Sequence, residues 1–295
     1  MSHGTWRVFD FTSNNIAVYQ TRKRHKDMAL DLDSLLSEVM DIAKTVGRFQ
    51  LEEQKRFSRD MIEEKNSHDY VSYVDKESER RIVGALKELL PDAGFIAEEG
   101  SAIYQDEPFC WVVDPLDGTT NYVHGTSPYC VSIALRSKKE LLLGVVYDPT
   151  LDECFTACKG KGAFLNGRRI HVTNVKNLDN AFLITELPYN ADAYMETGLH
   201  LVRSLYGRVG GLRMNGSAAL AICHVAAGRI DGWLESFIGK WDFSASALIV
   251  QEAGGTVTDF YGNADFMEGH HIIATNGLIH DALQEIIIQK LPKGM

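Results

Sequence analysis

Asp114 and Asp117 stand on either side of a proline and a leucine in the run Trp111-Val112-Val113-Asp114-Pro115-Leu116-Asp117-Gly118-Thr119-Thr120-Asn121. The apolar residues before Asp114 read as a strand that ends there. Pro115, with its fixed φ, reads as a turn across which the two carboxylates converge. Two carboxylates held that close repel unless a cation sits between them. Gly118 removes side-chain bulk where a ligand could approach the backbone. Thr119 and Thr120 can open a helix whose free amides suit a phosphate. An Asp-x-x-Asp alone reads as a capped strand-to-helix turn. With the apolar strand before it and Gly-Thr-Thr behind it, the run reads as a metal and phosphate site.

Two further acidic clusters lie apart from the first. Glu98 and Glu99 follow the apolar Phe95-Ile96 and precede Gly100. A carboxylate at a strand end beside glycine can supply a metal ligand, and in isolation the same residues read as a surface loop. Asp242 follows Trp241 and precedes the small-residue run Ser244-Ala245-Ser246-Ala247. In isolation it reads as a helix N-cap. Ala245, Ala247, Ala253, Gly254 and Gly255 imply close packing that would carry it inward.

The elements that must position these residues are read from periodicity. Leu32, Leu35, Leu36, Val39, Met40, Ala43 and Val46 recur at helical spacing, and a second helix is expected from Lys76 to Leu90, stopped by Pro91. Strands are expected at 109–113, 129–136 and 141–147, with a hairpin at 160–164 and 170–172 about Asn166-Gly167, and a strand at 182–185. Helices are then expected at 191–206, 217–227, 243–253 and 278–290, and strands at 230–234, 256–260 and 272–274. Helices, then many adjacent strands, then mixed elements predict an α+β layered fold. Residues 1–27, with the basic run Arg22-Lys23-Arg24-His25-Lys26, read as a poorly ordered leader, with Met28 as an alternative start. Residues 28–295 read as one domain with approximate halves 28–175 and 176–295.

Bulk composition narrows the function. The 295 residues hold 40 acidic against 30 basic side chains, a net charge of −10. An acidic surface repels a nucleic-acid backbone, so general nucleic-acid binding is excluded. An acidic chain that handles phosphate must neutralise charge locally, and clustered carboxylates with divalent cations are the means. Five cysteines, an odd number, read as buried thiols in a reducing compartment. No apolar run is long enough to span a bilayer and no signal-peptide pattern opens the chain, so a soluble cytoplasmic protein without membrane attachment is expected.

The three acidic motifs, in this order and together with Gly144-Val145-Val146-Tyr147, Gly160 to Gly167 and Glu252-Ala253-Gly254-Gly255, strongly resemble the inositol monophosphatase family from about Leu32 to the C-terminus. The resemblance implies an αβαβα sandwich, a homodimer, two to three Mg2+ ions and inhibition by Li+. It implies Glu98, Asp114, Asp117 and Asp242 as metal carboxylates, with Leu116 offering its carbonyl oxygen. Glu98, Thr119 and Asp75 are implied to handle the attacking water, Asp75 by pairing with Thr119. Gly118, Thr119 and Thr120 match the phosphate-cradling turn. Glu235 matches the residue that hydrogen-bonds substrate hydroxyls, Met214 and Asn215 lie where family members approach the substrate, and Lys65 and Asp69 match family positions with a spacing one residue shorter.

The substrate expected first is myo-inositol monophosphate. Lys240, before Trp241 where some relatives carry histidine, keeps fructose 1,6-bisphosphate open by offering a charge for a second phosphate, and histidinol phosphate or another sugar phosphate is also open. Sulphur-nucleotide phosphatases rank lower because Thr120-Asn121 replaces their usual lysine. A reading of a different class is a binding partner of the transcription machinery that keeps the phosphatase site.

Overall fold

A computed structural model describes residues 30–58, 62–66, 69–188 and 192–289. The leader and Met28 lie outside them. The chain divides into Met1–Asp31 and a unit Leu32–Met295, and the latter is described below.

Helix α1 (Leu32–Gln54) buries Val39, Ala43, Val46, Gly47 and Gln50, residues that fall on one helical face. A hairpin of β1 (Ile62–Asn66) and β2 (Asp69–Ser72) leads into α2 (Tyr73–Leu89). This helix starts three residues before the expected Lys76. The Ser72 hydroxyl accepts from the Val74 amide, and Asp75 at the third helical position accepts from the Ser72 amide. Asp75 therefore lies inside a capping box.

The first sheet has seven strands in the order β3 (Gly94–Ala97), β4 (Phe109–Asp117), β5 (Cys130–Ser137), β6 (Leu141–Asp148), β7 (Glu153–Cys158), β8 (Gly162–Leu165) and β9 (Arg168–Arg169). Only β3 and β4 run parallel. The pairing of β8 with β9 turns at Asn166 and Gly167, both with positive φ, as Asn-Gly predicts. The pairing stops at Arg169, so residues 170–172 are not a strand. Strand β7 was not expected, because its apolar positions are interrupted by Thr156 and its start is masked by the acidic turn at Asp152-Glu153.

Between them the short helix α3 (Thr119–Val123) leaves β4. The second sheet has the order β11 (Gly211–Arg213), β10 (Phe182–Glu186), β12 (Gly232–Glu235), β14 (Ile272–Thr275) and β13 (Thr256–Thr258). Its helices are α4 (Asp192–Leu205), α5 (Ala218–Ala226), α6 (Lys240–Glu252) and α7 (His280–Ile288).

The layers follow from alternation along β6. Tyr147 faces α1, where its ring fills the space a Cβ on Gly47 would take. Gly144, three residues earlier and so on the other face, lies against Ala245 of α6. Helices α1 and α2 thus cover one face of the seven-stranded sheet. Helices α5 and α6 pack between the two sheets, and α7 lies on the five-stranded sheet with α4 against it. The result is an αβαβα sandwich. The central layer holds the largest core, with Trp233, Phe243 and Phe155 fully buried. All five cysteines are buried and unpaired with each other. Among the described residues no helix is long and apolar enough to cross a membrane.

Candidate active site

The site is built around a fault in β4. Asp114 pairs with Ser132 and Asp117 with Cys130, so three steps on β4 oppose two on β5. This bulge cancels the alternation that would put Asp114 and Asp117 on opposite faces, and both point toward α6. The expectation that the strand ends at Asp114 is corrected: it runs on to Asp117, and the extra residue is absorbed at Pro115. Proline suits the place because it has no amide to pair. Its carbonyl accepts from Gln50 Nε2 at 2.7 Å, which ties the bulge to α1.

Each carboxylate is held from a different element. Asp114 Oδ1 accepts from the Leu116 amide at 2.9 Å. Asp117 Oδ2 accepts from the Ser217 hydroxyl and from the Ala219 amide at 2.9 Å, at the start of α5. Asp242 is the third residue of α6 and not its N-cap; that place belongs to Gly239, whose amide donates to Asp242 Oδ2 at 2.8 Å. One oxygen of each of Asp114, Asp117 and Asp242 lies within 4.8 Å of the others. Glu98 follows β3 and lines the same cavity. Its loop is fixed by buried Glu79, whose two oxygens accept from the amides of Glu99 at 2.7 Å and Ser101 at 2.8 Å.

Electrostatics show what this grouping lacks. Burial pushes the Asp114 carboxyl well above the usual range, and Glu98, Asp117 and Asp242 push it further. Asp117 is raised by burial and held down by its donors. Among the described residues no Lys or Arg lines the cavity to supply the missing positive charge. An all-oxygen set of carboxylates, two buried and two half-buried, fits a hard divalent cation better than zinc, which takes nitrogen and sulphur. Asp114, Asp117 and Asp242, with Glu98 and the Leu116 carbonyl, are the residues that would hold such ions.

Beside the cluster, Gly118 sits at φ 88°, in the left-handed region, and opens α3. A Cβ there would meet the Pro128 carbonyl oxygen at 2.7 Å, so both conformation and space demand glycine. The Thr119 hydroxyl lies 2.9 Å from Asp75 Oδ1 and 2.9 Å from the Leu116 carbonyl oxygen. It has one proton for two acceptors. Asp75 is wholly buried, which raises its carboxyl; the Ser72 hydroxyl and amide and the Thr119 hydroxyl act in the opposite direction.

The cavity, of about 290 Å³, brings together Glu98, Asp114, Leu116, Asp117, Gly118, Thr119, Thr120, Glu235 and Asp242 of the sequence-derived set. Asp75 stands behind Thr119. Met214 and Asn215 do not line it. Met214 is 56% exposed, and Asn215 is taken up in its own loop, its carbonyl accepting from Asn121 Nδ2 at 2.9 Å and its Oδ1 from the Ser217 amide at 3.2 Å. Lys65 falls on β1 and Asp69 opens β2. Glu186, at the end of β10, lines the cavity and was not foreseen. The only local signal was an acidic residue closing a short apolar strand, the same signal that Glu98 carries.

The chain matches the sequence model of the inositol monophosphatase family over residues 31–295. It is 39% identical to a Pseudomonas aeruginosa protein named Nus factor SuhB, across 90% of this chain and 99% of that one. Its fold superposes on extragenic suppressor protein suhB from Bartonella henselae with a TM-score of 0.81 at 36% identity, covering 89% of this chain and 100% of that one. An inositol monophosphatase from Anabaena gives 0.79 at 33% identity, covering 90% and 99%. With the acidic motifs, their convergence and the layered fold in agreement, the chain belongs to the inositol monophosphatase family.

Proposed function

We propose that the protein hydrolyses a small phosphate monoester whose leaving group is a neutral polyol, myo-inositol monophosphate first among them, with Mg2+ as cofactor. The observation that carries this reading is the meeting of Asp114, Asp117 and Asp242 beside the Thr119–Asp75 pair, in a cavity that Glu235 also lines. Divalent ions in the carboxylate cluster would neutralise the phosphate and lower the pKa of water.

The remaining steps belong to the chain's own residues. Thr119 donates its hydrogen bond to Asp75 Oδ1, which leaves its oxygen free to accept from water and releases the Leu116 carbonyl. Glu98 and Thr119 then orient the attacking water; as its oxygen bonds to phosphorus Glu98 takes up its proton, the bond from phosphorus to the ester oxygen breaks, and the departing alkoxide takes a proton from solvent water. The Gly118–Thr119 turn presents backbone amides to the phosphoryl oxygens, where charge builds in the transition state. Glu235 accepts hydroxyls of the leaving group. Burial and the nearby Asp242, Glu186 and Asp117 charges raise the Glu235 carboxyl well above the usual range, and those same neighbouring charges disfavour a second anion there.

The bisphosphate alternative rested on Lys240. Its ammonium lies 2.6 Å from Glu268 Oε2 and does not line the cavity, so its charge is already answered. A screen for phosphate release over polyol, sugar and nucleotide phosphates, with and without Mg2+ and Li+, tests the reading. Mg2+-dependent and Li+-sensitive release, highest from a polyol phosphate, is expected. Asp114→Asn should remove nearly all of it while the far-ultraviolet circular dichroism stays unchanged. Retained turnover in that variant would sink the assignment.

The name Nus factor borne by the Pseudomonas relative favours a second role alongside catalysis, that of a binding partner of the transcription machinery. A pull-down from cell extract that recovers transcription proteins with wild type and Asp114→Asn alike would support it.

A further inference from the structure

Strands β10 and β12 run parallel, and their register sets Glu186 directly opposite Glu235. Both side chains line the cavity that Asp114, Asp117 and Asp242 also line. The two oxygens of Glu186 have different surroundings. Oε1 accepts from the amides of Asn215 at 2.8 Å and Gly216 at 2.9 Å. Oε2 takes no donor from the described residues.

The loop that Oε1 holds leads directly to the metal cluster. The Ser217 amide donates to Asn215 Oδ1 at 3.2 Å, and the Ser217 hydroxyl donates to Asp117 Oδ2. Asn121 Nδ2 closes the loop against α3 through the Asn215 carbonyl, and Gly216 passes so near Asn121 that a Cβ would lie 3.0 Å from its Nδ2. Asn215 and Gly216 are thereby held by hydrogen bonds within the chain itself. The free oxygen of Glu186 is consequently held in place, beside Glu235, before any ligand arrives.

We propose that Glu186 is a specificity-determining residue: with Oε1 it anchors the 215–217 loop, and with Oε2 it accepts a hydroxyl of the leaving group alongside Glu235. Two adjacent carboxylate acceptors and no cationic side chain among the described lining residues select a neutral, hydroxylated leaving group over one that carries a second phosphate. An unpaired hydroxyl acceptor in such a site penalises leaving groups that lack the hydroxyl. This inference rests on the hydrolytic reading above.

Glu186→Gln separates the two functions of the side chain. The amide oxygen can keep both loop amides, while the new NH2 group replaces the charged acceptor in the cavity. Steady-state kinetics with Mg2+ on myo-inositol monophosphate and on p-nitrophenyl phosphate, whose leaving group has no extra hydroxyls, read the outcome. The ratio of kcat/KM between the two substrates should fall about tenfold in the variant, mainly through KM for the polyol ester, as expected for loss of a charge-assisted hydrogen bond. A purely structural role would lower kcat on both substrates together and leave the ratio where it was, and that result would overturn the assignment of Glu186. Absence of phosphate release by the wild-type protein from either ester would instead overturn the hydrolytic reading itself, and this inference with it.

Discussion

Thr119 has two acceptors within 2.9 Å and a single proton to give, so the choice between Asp75 and the Leu116 carbonyl is made at one atom. Thr119→Ser keeps that hydroxyl and should keep most turnover. Thr119→Ala should lower kcat by about a hundredfold or more, the usual scale for losing a side chain positioned at a proton transfer. Equal rates in the two variants would remove Thr119 from the reaction. Glu79 acts at one remove. It is fully buried, and each of its oxygens serves one amide of the loop after Glu98. In Glu79→Gln one amide would face an NH2 group instead of an oxygen, a loss of about 1–3 kcal/mol in urea unfolding, together with weaker Mg2+ binding. The carboxylates of the three motifs were legible because each sits beside local signals: an apolar strand, a glycine, a run of small residues. Glu186 and Glu79 were not, since what they do depends on partners 20 to 30 residues away in sequence.

At the scale of elements, the bulge of β4 and the seating of α6 decide whether the carboxylates meet. The sequence showed that Pro115 interrupts something, but not whether strand pairing resumes beyond it. That depends on β5 offering Cys130 to Asp117, a tertiary pairing. The small residues of α6 were a better guide, because they signal close approach directly. Gly144 is their counterpart on β6: a Cβ there would meet the Ala245 carbonyl oxygen at 2.6 Å. Gly144→Ala should push α6 off the sheet, and with it Asp242 in its first turn. Overpacking of this kind costs about 1–3 kcal/mol. The same variant should need more Mg2+ for half-maximal thermal stabilisation. Lower stability with unchanged Mg2+ demand would mean that α6 yields elsewhere and leaves Asp242 in place.

For the whole molecule, the site lies where the layers meet. Glu98, Asp114, Asp117 and Asp242 come from the ends of β3 and β4 and the start of α6, and Glu186 and Glu235 from the C-terminal ends of β10 and β12. The order of helices and strands in the sequence was enough for the α+β class, while the strand order that sets Glu186 against Glu235 was not. Gathering so many carboxylates between the sheets has a cost that depends on pH. Asp114 has its folded-state pKa raised above the unfolded value of about 4. A raised carboxylate favours the folded state below the unfolded pKa, and this stability is lost as pH rises toward the folded pKa. The half-buried His224 and His271 and the buried His280, each lowered by its burial, have the opposite slope below about pH 6.5. Comparison with Asp114→Asn cancels them. In EDTA, Asp114→Asn should melt higher than wild type, and the gap should widen from about pH 5 to about pH 8 as the wild-type carboxylate is forced to ionise. Saturating Mg2+ should raise the wild-type Tm, since an ion bound only by the folded state stabilises it by mass action, and should raise that of the variant far less. A gap that stays flat with pH, or an equal response to Mg2+ in both proteins, would mean that Asp114 neither bears the repulsion of its neighbours nor holds the ion that relieves it.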